Sequence, residues 1–112
     1  MEIGINLILG ASIVYMVLGA AHVFLTLFTK AMEPTSAAVL ALNKSSHSHI
    51  TSKTTLWAGG IGFHLSHSLG IFIFGLFYFA LATDNPELIS LSIFFSSLIV
   101  LVPLIYLFLS IK

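Results

Sequence analysis

Residues 54–83 read TTLWAGGIGFHLSHSLGIFIFGLFYFALAT, thirty consecutive positions without a formally charged side chain. A bilayer core about 30 Å thick is crossed by roughly 20 helical residues, so this stretch is long enough to span. Inside lipid every backbone polar group must find a partner within the protein, which leaves a helix or a closed barrel. Two further uncharged stretches flank it, residues 3–29 and 88–111, of 27 and 24 residues. Three spans cannot close a barrel. The sequence therefore predicts an all-α integral membrane bundle of three transmembrane helices.

Composition points the same way. Of 112 residues, 58% are hydrophobic and only 7% are charged, against a charged share of about 25% in soluble domains. Eight charged side chains, Glu2, Lys30, Glu33, Lys44, Lys53, Asp84, Glu87 and Lys112, cannot coat a soluble surface. The chain has no Arg and no basic patch, which excludes nucleic acid as a partner. It has no Cys, which removes disulfides, thiolate catalysis and Cys-based metal sites. Gly19 and Ala21 resemble a signal-peptidase site, but the start carries Glu2 and no positive side chain, so the first span is expected to be retained.

Spans are expected at about 3–29, 55–82 and 86–110, in a single domain over 1–112. The linker 30–54 contains Pro34-Thr35-Ser36 followed by Ala37 to Leu42, read as a short helix lying on the membrane surface. Trp57 and Tyr78 suit the headgroup levels at the two ends of the second span. Thr83-Asp84-Asn85-Pro86 reads as a turn, with Pro86 in the first turn of the next helix, and Pro103 is expected to kink the third span. Lys30, Lys44 and Lys53 in the first linker, against Asp84 and Glu87 in the second, place that linker and the C-terminus in the cytoplasm and the N-terminus outside.

Small and polar residues mark a candidate interior face on each helix. In the first span these are Gly4, Ala11, Tyr15, Gly19, His22, Thr26 and Thr29. In the second they are Gly60, His64, His67, Ile71, Phe74 and Tyr78. In the third they are Ser92, Ser96, Ile99, Pro103, Tyr106 and Ser110. Small residues let membrane helices approach, so Gly19, Gly60, Gly70, Ser92 and Ser96 are the expected packing positions.

The chemistry-bearing residues are His22, His64 and His67. An ionisable group within a span is costly and faces an interior, a cavity or a ligand. His64 and His67 are three apart and share a helix face. At about 1.5 Å per residue, His22 and His64 lie roughly 10 and 14 Å from the same membrane edge, level enough to meet on antiparallel neighbours. Four readings compete: neutral histidines bonding the bundle together, two axial haem ligands, a three-histidine divalent metal site, and a proton relay. His47 and His49 stand apart in the Ser-rich linker and read as solvated. The chain carries no Gly-x-Ser-x-Gly, His-Glu-x-x-His or phosphate-loop motif, and Gly59-Gly60-Ile61-Gly62 reads as helix packing inside a span.

Three runs together resemble a family of small uncharacterised bacterial inner-membrane proteins. They are Gly19-Ala20-Ala21-His22 with Thr26, Thr51 to Thr55 with Trp57, and Gly62-Phe63-His64-Leu65-Ser66-His67-Ser68-Leu69-Gly70 with Phe74-Gly75. The likeness covers about the first 80 residues, and its core is Gly-Phe-x-x-Ser-His-Ser-Leu-Gly. In that pattern the position of His64 is often Asn, so His22 and His67 fit it more closely. The resemblance implies a location in the inner membrane and a helical fold, and no activity. The expectation is a non-enzymatic accessory or assembly subunit that associates with other membrane subunits or with itself. The alternative is a haem- or chromophore-binding electron-transfer protein.

Overall fold

A hydroxyl or proline marks the start of nearly every helix after the first. In the computed structural model, which describes residues 2–111, the helices are α1 (Glu2–Phe28), α2 (Ala37–Ser45), α3 (Leu56–Asp84), α4 (Pro86–Leu91) and α5 (Ile93–Ile111). The Ser36 hydroxyl accepts the Val39 N–H to begin α2, and the Thr55 hydroxyl accepts that of Ala58 to begin α3. Such caps satisfy amides that the first turn leaves unbonded. Pro86 occupies the first turn of α4, where its missing N–H costs nothing.

Helices α1, α3 and α5 are each long and apolar enough to cross a membrane, so the chain is an all-α membrane protein. Its extents are 54 × 27 × 25 Å.

The third segment departs from expectation. Instead of one helix over 86–110 there are two. Ser92 leaves helical geometry at φ −93° and ψ 116°, and its hydroxyl accepts the Phe95 N–H at 3.4 Å. Ser92 is therefore an N-terminal cap of α5, not the helix–helix contact its spacing suggested. Pro103 lies inside α5, which runs on either side of it.

Packing is concentrated between α1 and α3. Their contacts run in opposite senses: His22 meets His64, Gly19 meets Ser68 and Phe72, and Gly75 meets Ser12, Tyr15 and Met16. The helices are antiparallel. The buried positions of α1 are Ser12, Gly19 and Thr26, and those of α3 include Ser68, Gly75 and Ala82. Each set recurs every seven residues. That period keeps one seam facing the partner in a left-handed pair, and small residues along it let the backbones close.

At the far end, buried Tyr78, Ala82 and Ile89 form a small apolar core with Ile5, Ile8, Leu9 and Leu98. Helix α5 lies along α3 in the opposite sense, spaced off by large rings. The Tyr78 hydroxyl donates to the Phe95 carbonyl at 2.6 Å, and Phe77 packs on Phe95. No residue of α5 is buried.

Candidate functional site

The site grows out of the seam between α1 and α3. A β-carbon added at Gly19 would lie 2.8 Å from the Ser68 carbonyl oxygen and 3.0 Å from the Phe72 backbone nitrogen. The two backbones are thus in contact there, and one turn along α1 the same approach brings His22 onto His64. His22 Nε2 and His64 Nδ1 are 3.2 Å apart, with ring centroids 5.2 Å apart.

One nitrogen of the pair donates and the other accepts. If His22 Nε2 carries the hydrogen, His64 carries its own on Nε2; reversing the bond moves both hydrogens to the other nitrogens. The pair can satisfy itself while both rings are neutral. Neighbouring hydroxyls brace the same two residues. Thr26 donates to the His22 carbonyl at 2.7 Å and Ser68 to the His64 carbonyl at 2.6 Å. Each hydroxyl bonds back by four residues in its own helix and so leaves no polar hydrogen loose in the seam.

His67 takes no part in that bond. Its ring stacks on Phe63, centroids 5.6 Å apart and planes 11° apart, and meets the Tyr106 ring of α5 edge-on at 5.2 Å. His67 and His22 line one shallow cleft with Leu18, Gly19, Ser68 and Ile71. Among the described residues no group of three or more His, Asp or Glu is arranged to hold a metal ion.

A haem between His22 and His64 would need a different geometry. Metal–imidazole bonds of about 2.0 Å on each side set two axial nitrogens about 4 Å apart, with a flat macrocycle between. Here the rings bond directly, and the backbones touch one turn away at Gly19. Axial ligation by this pair requires the hairpin to open.

Of the glycines expected at helix contacts, Gly19 is at one. Gly60 and Gly70 are not: a β-carbon at either meets nothing within 4 Å. The second contact glycine is Gly75, whose β-carbon would come within 2.7 Å of the Ser12 carbonyl oxygen. Ser96 is half-buried and spends its hydroxyl on the Ser92 carbonyl of its own chain turn at 2.7 Å. The faces read from the sequence, at spacings of three, four or seven, did not include Ser12, Ser68 or Gly75, which the structure buries in the seam.

His47 is exposed, as expected of the linker, and also holds a backbone partner. Its Nδ1 lies 2.9 Å from the Thr54 carbonyl oxygen, and the Leu56 N–H donates to the Ser46 carbonyl at 2.9 Å. These bonds close the loop 47–55 on itself and set α2 over the start of α3. There the Lys44 ammonium lies 5.5 Å from the Trp57 ring centroid, a cation–π contact.

In comparisons with known proteins, no family model, no curated protein and no solved structure matches the chain.

Proposed function

We propose that this chain is a non-enzymatic accessory or assembly subunit of a larger complex in the bacterial inner membrane. In this reading the first linker and the C-terminus face the cytoplasm, as the lysine distribution favours. The likeness of its motif residues to a family of small inner-membrane proteins points the same way. The observation that carries the reading is the division of the bundle. α1 and α3 form a tightly seamed hairpin in which His22 and His64 bond each other and the Thr26 and Ser68 hydroxyls bond their own helices. α5 has no buried residue and meets the rest of the bundle through the Tyr78–Phe95 hydrogen bond, two ring contacts and the half-buried Leu98 and Ile99. A third span that adds so little to its own chain's core is available to neighbouring helices. Small hydroxyl residues such as Ser96 and Ser97, beside Val100 and Leu101 on its surface, suit close helix approach.

The chain has no native cysteine, so single cysteines can be placed cleanly. A photoactivatable crosslinker on Leu104→Cys, which is exposed on α5, is expected to give a discrete heterologous adduct in native membranes. The same reagent on Leu7→Cys of α1 serves as the comparison position. Absence of any discrete adduct from α5 positions contradicts the reading.

The alternative, a haem- or chromophore-binding electron-transfer protein, draws on one observation: two imidazoles meet at one depth from opposed helices. It requires the hairpin to open around the group, and a visible spectrum tests it.

A further inference from the structure

A second recess lies beneath the linker, apart from the packed seam. Its walls are Met32 and Pro34 of the linker, Asn43 of α2, and Leu56 and Trp57 of α3, with His64 two turns deeper. Its volume is about 200 Å³, below the roughly 300–1,000 Å³ of sites for drug-sized molecules. It has room for one ring and little more.

The lining side chains are uncharged, and the Lys44 ammonium sits beside them, 5.5 Å from the Trp57 ring centroid. The polar side-chain groups of the lining are the Asn43 amide, the Trp57 indole N–H and the ring of His64. The side-chain hydrogen bonds of α2 are made by Ser36 and Ser45, not by Asn43. His64 bonds His22 through Nδ1 alone, which leaves its Nε2. An amide carries two donors and an acceptor, and a neutral imidazole nitrogen is one or the other according to tautomer. Besides the indole, two hydrogen-bonding side chains thus line the recess from different helices, α2 and α3. Trp57 supplies a flat wall, held by the cation–π contact with Lys44.

We infer that this recess binds the headgroup of a membrane-soluble quinone: a flat, uncharged ring with carbonyl oxygens at opposite ends, carried on an apolar tail. The aromatic wall takes the ring face. Asn43 donates to one carbonyl and His64 Nε2 to the other, while the tail stays in lipid. The histidine bond adds a further fit. With His22 donating to His64, the His64 Nε2 carries a hydrogen and donates to a carbonyl. With the bond reversed, the same nitrogen accepts from a phenolic hydroxyl. The pair therefore suits the oxidised and the reduced ring alike, without placing a charge in the membrane.

Trp57 is the only tryptophan in the chain, so its fluorescence reports occupancy of the recess. The full chain in phosphatidylcholine vesicles is titrated with decylubiquinone. A saturable quench is expected above the linear collisional background. Gly60→Leu should weaken the saturable phase about ten-fold, the effect of losing roughly 1.4 kcal/mol. Gly60 borders the recess and a β-carbon there meets nothing within 4 Å, so the variant fills space without straining the helix. Asn43→Leu, on the surface helix, should weaken the phase in the same direction. A purely linear quench in the wild type overturns the inference. So does a saturable phase that Gly60→Leu leaves unchanged. Quenching by bromine-labelled phosphatidylcholine that Gly60→Leu relieves, with no saturable response to the quinone, assigns the recess to an acyl chain and also overturns it.

Discussion

His22 on α1 and His64 on α3 share a hydrogen bond across the membrane seam, Nε2 to Nδ1 at 3.2 Å. Neither ring needs a charge to make it. Hydrogen bonds between membrane helices contribute about 0.6 kcal/mol on average and rarely above about 1.7. A double-mutant cycle with His22→Ala and His64→Ala, read by reversible unfolding in mixed micelles, should give a coupling energy in that range. The double variant should then be less destabilised than the sum of the two singles. Strict additivity would show that the two rings do not interact.

Gly19 and Gly75 are the points of closest approach between α1 and α3. A side chain at either must push the opposing backbone away, because a new β-carbon would come within 2.8 Å of a carbonyl oxygen. Overpacking of this kind costs about 1–3 kcal/mol, and more where backbone must shift. Gly19→Leu and Gly75→Leu should therefore destabilise the hairpin strongly. Gly70→Ala, in open space, should be neutral or slightly stabilising, since alanine is the better helix former. The same unfolding assay ranks the three, and an equal effect at all three positions would refute the seam.

Tyr78 is 1% exposed and holds α5 through its hydroxyl, which donates to the Phe95 carbonyl at 2.6 Å. Tyr78→Phe keeps the ring and leaves that carbonyl short of one donor. A loss of about 1 kcal/mol is expected. Its effect should be local: amide hydrogen exchange should accelerate in α5 near Phe95 and leave α1 unchanged. Uniform acceleration across all three spans would mean that α5 is not a separable element.

His47 closes the loop between α2 and α3 through the Thr54 carbonyl. His47→Ala should release that loop without affecting the spans. Limited proteolysis at Lys53 should speed up several-fold, while the unfolding midpoint in micelles stays within the scatter of the wild type. An unchanged cleavage rate would show that the His47–Thr54 bond does not hold the loop.

The three spans were legible because lipid imposes a coarse requirement: some 20 residues without charge, and backbone bonds satisfied internally. The level of His22 with His64 was legible for a similar reason, since rise per residue converts sequence separation into depth. Direction around the helix was harder. Gly60, Gly70, Ala11 and Thr29 look as suitable for a packed face as Gly19 and Thr26, yet all four are exposed. Small residues occur on lipid faces too, and only the partner helix decides which are used. The set the two helices bury against each other is Ser12, Gly19 and Thr26 with Ser68, Gly75 and Ala82. The break at Ser92 was hidden because serine serves equally as a packing residue and as a helix cap. His47 was hidden because its partner is a backbone carbonyl seven residues away, which no side-chain motif records.

The most direct test of the packing reading is a visible absorption spectrum of the gently purified protein, from cells supplied with haem precursor, oxidised and then reduced. If His22 and His64 are spent on each other, wild type and His22→Ala should both be featureless above the protein bands, and His22→Ala should differ only in stability. A Soret band that shifts on reduction and vanishes in His22→Ala would contradict the packing reading and make the two histidines ligands.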